Sequence, residues 1–309
     1  MRHTLWDTPR ETVVRHFRHR RLVAFTLMVA AALTFPLTAF AAEVVPAPAS
    51  GAQVRVVAKG LPMVDRLARA ADGTLYATLE LGNGRGRVVR ITPDGTISVI
   101  LQALDRPDGL LLVDDTLYIT EEIRAGRLLA YHLASGVLRQ LAILRMPEGI
   151  DRLADGRLVI AEDRAPGRVV TVTDDGTIGL LVGGLNRPEG LAVADDGQGH
   201  EIIWVCETAT GRLLALRDGK ISVAAAGMRE PDQVAVAPGG AVFVTEDATP
   251  GRLLKLGPGG TMLPVLEGLS APQGMAFRPA NGNCGAAIYV AEQGKGRILQ
   301  VGPVCGAAD

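Results

Sequence analysis

Arg187-Pro188-Glu189-Gly190-Leu191, then residues 203–207 and Gly211-Arg212-Leu213-Leu214, form a unit that recurs along the chain. Its Pro-acid-Gly element has four further versions. They are Pro107-Asp108-Gly109, Pro147-Glu148-Gly149, Pro231-Asp232-Gln233 and Pro272-Gln273-Gly274. With a first copy that begins near Val64, six copies follow one another at intervals of 40 to 43 residues. A period near 40 residues with four short strands per unit is typical of a β-propeller blade.

The fourth copy gives the plan of one blade. Four apolar runs, at 191–194, 202–206, 212–216 and 221–225, are predicted as strands A to D. Asp195-Asp196-Gly197 lies between strands A and B, and Asp218-Gly219 lies between strands C and D. Asp-Gly readily adopts the positive φ that tight hairpins require, so both pairs favour antiparallel strands.

The sixth copy contains only three strands, at 275–278, 287–291 and 297–301. Ahead of the first copy lies an unassigned run, 53–60, which resembles the D strands at 97–104 and 262–269. We expect this run to be strand D of the last blade, because closure removes the open sheet edges. A solenoid would need capping repeats, and none is visible. The prediction is an all-β, six-bladed propeller over residues 53–302, with four antiparallel strands per blade.

Residues 1–41 have the pattern of an export signal. Arg15, Arg18, Arg20 and Arg21 precede an apolar run at 22–35, and Ala39-Phe40-Ala41 fits a cleavage site after Ala41. The alternative is an uncleaved anchor over 22–42. We expect cleavage, a flexible lead at 42–52, and a periplasmic or secreted protein without a membrane span. The net charge of −1 would become about −5, and no basic run indicates nucleic-acid binding. We expect a monomer.

Three cysteines are an odd number for an exported chain. In the hairpin centred on residues 294 and 295, Ile288 should face Val301 and Cys284 should face Cys305. Directly opposed strand positions lie within disulfide reach, so we predict a bond that ties the tail at 303–309 to the last blade. Cys206 has no partner in this scheme and is predicted to be a small buried residue.

The repeats bring acidic residues to the channel mouth, where strand A begins in each blade. These positions are Asp65, Asp108, Glu148, Glu189, Asp232 and Gln273. Carboxylates brought together repel, so the set should bind a cation, hold protons or attract a positive ligand. An all-oxygen set suits a hard divalent ion, and Ca²⁺ most of all. The alternative is that each acid accepts hydrogen bonds from the backbone of its own turn.

A second acidic series ends strand B in five copies, and each member precedes a Gly-Arg pair. The members are Glu121, Glu162, Glu207, Glu246 and Glu292, whereas the first copy has Leu79. The series has two interpretations, an outer layer around the channel or ion pairs that fix the register of each B–C hairpin, and we favour the ion pairs. Removal of the export signal would leave only His132 and His200, too few for a zinc cluster, and no Ser/His or Cys/His catalytic pair is supported.

With these Pro-Asp-Gly and Pro-Glu-Gly elements, residues 53–302 resemble the SMP-30/gluconolactonase superfamily and the related NHL-type propellers. The segment at 207–214 also looks like strictosidine-synthase-like propellers, which need no metal. The gluconolactonase resemblance implies metal ligands at Asp65, Glu148, Glu189 and Asp232, with Asp232 also the base. Glu148 and Glu189 stand where that family usually has Asn, which makes the site more acidic.

The sequence therefore predicts a metal-dependent hydrolase of a lactone or small ester. Asp232 is the expected catalytic base, and Arg66, Asp108 and Gln273 are expected to bind the substrate. The alternative is a non-catalytic, NHL-type propeller that recognises a cationic small molecule, peptide or protein at the same acidic mouth. Propellers host many unrelated functions, so the fold alone does not choose between them.

Overall fold

The computed structural model describes Pro46 and residues 52–281 and 285–303. Its strands form six sheets of four antiparallel strands each. The export signal, nearly all of the flexible lead and the Cys284–Cys305 bond lie outside the described residues. In the described part of the chain, no helix has the length and hydropathy that crossing a bilayer requires.

The strands follow the order in which the repeats occur. The N-terminal strand and the first three blades are β1 Val54–Lys59; β2 Val64–Arg69, β3 Leu75–Leu79, β4 Gly86–Ile91 and β5 Ile97–Leu104; β6 Pro107–Val113, β7 Thr116–Glu121, β8 Gly126–His132 and β9 Leu138–Leu144; and β10 Pro147–Arg152, β11 Leu158–Glu162, β12 Gly167–Val172 and β13 Ile178–Leu185. The last three blades are β14 Pro188–Asp195, β15 Glu201–Glu207, β16 Arg212–Arg217 and β17 Lys220–Ala225; β18 Pro231–Val236, β19 Val242–Glu246, β20 Gly251–Leu256 and β21 Met262–Leu269; and β22 Pro272–Arg278, β23 Ala287–Glu292 and β24 Arg297–Val301. Among the described residues, 3-10 turns lie at Thr208–Thr210, Pro258–Gly260 and Gln293–Lys295.

The N-terminal strand completes the last blade, as the sequence predicted. β1 pairs antiparallel with β24, and Val54 lies opposite Val301. The last hairpin also has the predicted register, with Ile288 opposite Val301. The six-bladed fold and its closure are therefore confirmed.

The hydrophobic core is divided into six clusters, and each cluster is shared by two neighbouring blades. Blades one and two, for example, contribute Tyr76, Val88, Ile119 and Leu129 to one cluster. Another cluster joins the last blade to the first through Ala58, Leu67, Tyr289 and Ile298. Burying one large aliphatic side chain stabilises a fold by about 1.5–3 kcal/mol, so each such junction stabilises the ring substantially. A junction between blades six and one exists only in a closed ring.

Candidate functional site

Each blade presents its acidic residue through a bulge at the start of strand A. Pro147 lies opposite Glu162 and Ile150 lies opposite Ile160, so Glu148 and Gly149 together face one residue of strand B. The same irregularity follows the first residue of strand A in the other five blades. Bulges re-aim side chains, and here they turn the acid toward the channel. The sequence analysis began strand A of the fourth copy at residue 191, but in the structure Pro188-Glu189-Gly190 already belongs to that strand.

The residue before strand A has the same unusual backbone in all six blades. Its φ lies between 44° and 53°, and the residues are Met63, Arg106, Met146, Arg187, Glu230 and Ala271. In blade three, the carbonyl of Met146 accepts a hydrogen bond from the N–H of Asp163, 2.8 Å away. Equivalent bonds in the other blades tie strand A to the residue that follows strand B. Because this backbone geometry is repeated, the residue after the first residue of strand A has the same orientation in every blade.

The first candidate set, which we name the inner ring, is the predicted one. Its members are Asp65, Asp108, Glu148, Glu189, Asp232 and Gln273. All six are buried, with 2–7% of their surface exposed. Carboxylate oxygens of Glu148, Glu189 and Asp232 lie within 4.8 Å of one another. Asp65 belongs to a different group, with Glu80 and Asp108, so the four expected metal ligands are split between two groups.

Glycine follows the acid where two blades approach most closely. A Cβ added at Gly149 would lie 2.5 Å from the carbonyl oxygen of Glu189, and one at Gly190 would lie 2.4 Å from that of Asp232. Both distances are far below van der Waals contact, so these positions exclude a side chain. Blades one and five have Arg66 and Gln233 at this position instead.

Arg66 is the central cation of the site. Its Nε lies 3.0 Å from Asp108 Oδ1, and its Nη1 lies 2.8 Å from Asp232 Oδ1. Nη2 lies 2.5 Å from Glu148 Oε1, and Nη1 also donates to Gln233 Oε1. Only 3% of Arg66 is exposed. The guanidinium is thus engaged by three blades besides its own, and its expected role in holding substrate stays a prediction.

A second set, the outer ring, was missed by the sequence analysis. It consists of the residue that directly follows the last residue of strand B in each blade: Glu80, Glu122, Asp163, Thr208, Asp247 and Gln293. Arg106 pairs with Glu80 and Glu122. Arg187 pairs with Asp163 at 2.9 Å and with Glu189 at 2.6 Å, which links the two rings. Sequence position alone could have identified this set. Each member directly follows the last residue of strand B, which is Glu in five blades and Leu79 in the first.

Negative charge is in excess at this mouth. The two rings contain nine carboxylates, and three arginines pair with them in the described part of the chain. Burial, reinforced by Asp232 and Asp163, raises the pKa of Glu189 to about 9. Burial also raises the pKa of Glu122 to about 8 and that of Asp232 to about 7, although Arg66 acts against the shift at Asp232. Burial and neighbouring acids hold the pKa values of Asp65 and Glu148 well above their ordinary range. The site therefore favours bound protons or a further cation.

The donor set fits a hard divalent ion. Glu148, Glu189 and Asp232 offer oxygen ligands only, and their ionised forms lack sufficient compensation. In the neighbouring group, Oδ1 of Asp65 is buried without a hydrogen bond, and Arg66 Nε lies 3.6 Å from it, so this oxygen could also accept a cation. Oxygen donors of this kind are the ligands that Ca²⁺ prefers. Arg66 supplies one positive charge at the same carboxylates, so an ion here would share them with the guanidinium.

The Glu residues that end strand B have a structural role, as favoured from the sequence. Glu162 and Glu246 are fully buried, and each lies 2.5 Å from the Nε of an arginine across the hairpin, Arg168 and Arg252 respectively. Glu162 also accepts the backbone N–H of Arg145 at 3.0 Å. The same pair of contacts occurs at Glu121, Glu207 and Glu292. These residues join the B–C hairpin to the segment before strand A.

Cys206 is fully buried, and burial raises the pKa of its thiol well above the ordinary value. Both observations agree with the predicted packing role and argue against a nucleophile.

Solved structures with the same fold include gluconolactonases. A gluconolactonase from Xanthomonas campestris matches with a TM-score of 0.69 and 18% identity, over 84% of this chain and 95% of its own. The calcium-binding protein regucalcin from Agrobacterium tumefaciens matches with a TM-score of 0.65 and 16% identity, over 81% and 94%. An auxiliary nutrient-binding protein from Bacteroides thetaiotaomicron matches with a TM-score of 0.63 and 12% identity, over 79% and 69%. The predicted resemblance to the SMP-30/gluconolactonase superfamily is thus confirmed as one of fold.

No model of a known protein family matches the chain, and no curated protein matches it.

Proposed function

We propose that this protein hydrolyses a lactone or small ester at the acidic mouth of its channel. The observation that carries the proposal is the group formed by Glu148, Glu189 and Asp232, whose carboxylate oxygens lie within 4.8 Å of one another inside the ring. A buried carboxylate with a pKa near neutrality is suited to general-base catalysis. Asp232, with a pKa of about 7, meets that requirement.

Asp232 would take a proton from the attacking water at its carboxylate. Arg66 Nη1 donates to its Oδ1 at 2.8 Å, which fixes the carboxylate and keeps part of it ionised at neutral pH. Arg66 is held in turn by Asp108 and Glu148, so it positions the base. Glu189 is expected to carry the proton at neutral pH when no cation is bound, because its pKa is about 9.

Glu148, Glu189 and Asp232 would hold a divalent metal, with Ca²⁺ the best match to an all-oxygen set. When bound, the metal would act as a Lewis acid that polarises the substrate carbonyl. Asp65 lies in a neighbouring group with Glu80 and Asp108, which could itself hold a cation, so this proposal leaves Asp65 outside the three-ligand set. Asp108 and Gln273 keep their predicted role in substrate binding.

The test is hydrolysis of a panel of lactones and esters with Ca²⁺, Mg²⁺, Mn²⁺ or Zn²⁺, and again after chelation. We expect turnover that depends on one of these ions and that Asp232→Asn lowers by at least about 10²-fold. Asp155→Asn is the matched control, since Asp155 is an exposed acid in an A–B turn. Calorimetry that detects no divalent ion, together with equal turnover by Asp232→Asn, would refute the proposal.

A second candidate is a binding propeller that takes a cationic small molecule, peptide or protein at the same mouth. Two observations favour it: the carboxylates of the two rings outnumber the arginines that pair with them, and one of the proteins with the same fold is a nutrient-binding protein. Binding of a cationic ligand with no turnover of any lactone or ester would select this function. Export to the periplasm or medium and a monomeric state belong to both proposals.

A further inference from the structure

A second cavity lies between blades five and six, away from the acidic mouth. Its volume is about 560 Å³, within the range of small-molecule sites. The A–B turn of blade five and the facing ends of strands A, B and C of blade six form its walls. Those turns lie at the end of the blades opposite the inner ring. The cavity is therefore separate from the proposed hydrolytic site.

Small side chains leave this space open. Six of the lining residues are alanines: Ala52, Ala237, Ala241, Ala280, Ala286 and Ala287. Phe243 and Phe277 form an aromatic wall, with ring centroids 5.7 Å apart and planes tilted by 47°. A space lined by methyl groups and aromatic rings favours an apolar occupant.

The polar groups that line the cavity are cationic. Lys255 and Arg278 belong to the lining, and no aspartate or glutamate does. Within residues 52–281 and 285–303, neither cation forms an ion pair with a carboxylate. Arg278 Nη2 donates to the carbonyls of Gly285 and Pro303, at 3.0 and 2.9 Å, which fixes the guanidinium at the edge of the cavity. Its Nε is buried without a hydrogen-bond acceptor.

We propose that this cavity binds a small apolar molecule that carries one negative group, such as a medium-chain fatty acid or an aromatic carboxylate. The apolar part packs against the alanines and the two phenylalanines, and the carboxylate is stabilised by Arg278 and Lys255. Charge-assisted hydrogen bonds between guanidinium and carboxylate are among the strongest in proteins. The proposal does not depend on the hydrolytic function, since no residue is shared between the two sites.

The test is calorimetric titration of the full chain with decanoate, and with decanol as the neutral analogue of equal length. We expect decanoate to bind at least about tenfold more tightly than decanol, because only the acid gains the ionic contact. Arg278→Gln should weaken decanoate about tenfold and leave decanol unchanged. Arg152→Gln, at an exposed arginine that ends strand A of blade three, is the matched control and should bind as the unaltered chain does.

Ala241→Phe should abolish binding of both compounds by filling the cavity, with Ala237→Leu as a second filling variant should the first fail to fold. Circular dichroism and a melting curve establish folding in each case. Three results would each overturn the proposal: no uptake of decanoate by the unaltered chain at millimolar concentration, equal affinity for acid and alcohol, or undiminished binding by a folded cavity-filling variant.

Discussion

Arg66 Nη1 lies 2.8 Å from Oδ1 of Asp232, although the two residues belong to blades one and five. The side chain crosses the channel to reach this partner, and it pairs with Asp108 and Glu148 on the way. A single buried guanidinium thus connects four of the six blades. Three of the five carboxylates of the inner ring therefore depend on it for charge compensation.

Replacement of Arg66 by glutamine should destabilise the fold. Removing one partner of a buried charge network typically costs about 3–5 kcal/mol, because carboxylates are left without compensation. We expect a loss of that size at pH 7 and a smaller one at pH 5, where the raised pKa values of Asp232 and Glu148 allow protonation. Urea unfolding at both pH values measures it. Arg152→Gln serves as the exposed control, and an equal loss at pH 5 and pH 7 would contradict the electrostatic account.

The same variant should bind divalent cations more tightly. Arg66 places a positive charge at the carboxylates that would hold the ion, so its removal ends a repulsion between like charges. We expect Ca²⁺ affinity to rise at least about tenfold in Arg66→Gln, measured by calorimetry at pH 7. Weaker Ca²⁺ binding in the variant would mean that the arginine supports the ion site instead of competing with it.

The stability of the protein should fall as the pH rises from about 5 to about 8 in the absence of divalent ions. Glu189, Glu122 and Asp232 have pKa values of about 9, 8 and 7 in the folded chain, above the values near 4 that they have when unfolded. The folded state therefore binds more protons than the unfolded state in this interval, and stability decreases by about 1.4 kcal/mol per pH unit for each such proton. Urea unfolding across the interval tests this. Glu189→Gln should make the decrease of stability with pH less steep. A free energy of unfolding that rises with pH would show that these carboxylates do not have raised pKa values in the folded chain.

Hydrolysis should increase with the ionisation of Asp232. The measurement is the turnover that remains after divalent ions are chelated. Plotted against pH, it should have its midpoint near pH 7, the pKa of that carboxyl group. Arg66→Gln should move the midpoint upward, because Arg66 lowers the pKa of Asp232. A midpoint unchanged by this substitution would exclude Arg66 as the residue that positions the base.

Glu246 tests the structural series. It is fully buried, pairs with Arg252 at 2.5 Å and accepts the N–H of Arg229 at 2.8 Å. Glu246→Ala should cost about 1–3 kcal/mol in the free energy of unfolding, because the N–H of Arg229 and the guanidinium of Arg252 both lose their acceptor. The KM for a hydrolysed lactone should not change. Exposed Glu267→Ala is the control, with an expected effect within about 0.5 kcal/mol.

Much of the fold could be predicted because the blade repeats in sequence as well as in space. Asp-Gly turns and the 40-residue period gave the strands, and the D-strand pattern at 53–60 gave the closure that β1 and β24 form. The inner ring followed from the same repeat, since equivalent positions must converge on one axis. A sequence repeat identifies equivalent positions in each blade, even where the residue type differs, as Gln273 does from the acids of the other blades.

The remaining features of the site depend on side chains that break the repeat. Arg66 occupies a position that is glycine in four blades, and nothing local indicates that its guanidinium reaches Asp232. The outer ring varies between Glu, Asp, Thr and Gln, so its members do not resemble one another in sequence. Their shared property is the backbone bond to the residue before strand A, which is a tertiary feature.

The pairing of β1 with β24 also determines at what point in folding the propeller ring can close. Val54 and Val301 come from opposite ends of the described chain, so this contact has almost the largest sequence separation available. Contacts between such distant residues form late and slow folding, because a long loop must be closed first. During synthesis, five blades can assemble while β1 is still unpaired, because its partner β24 has not yet been made. The ring can close only after β24 has been synthesised. A chain that is truncated before β24 would leave the edges of β1 and β23 unpaired.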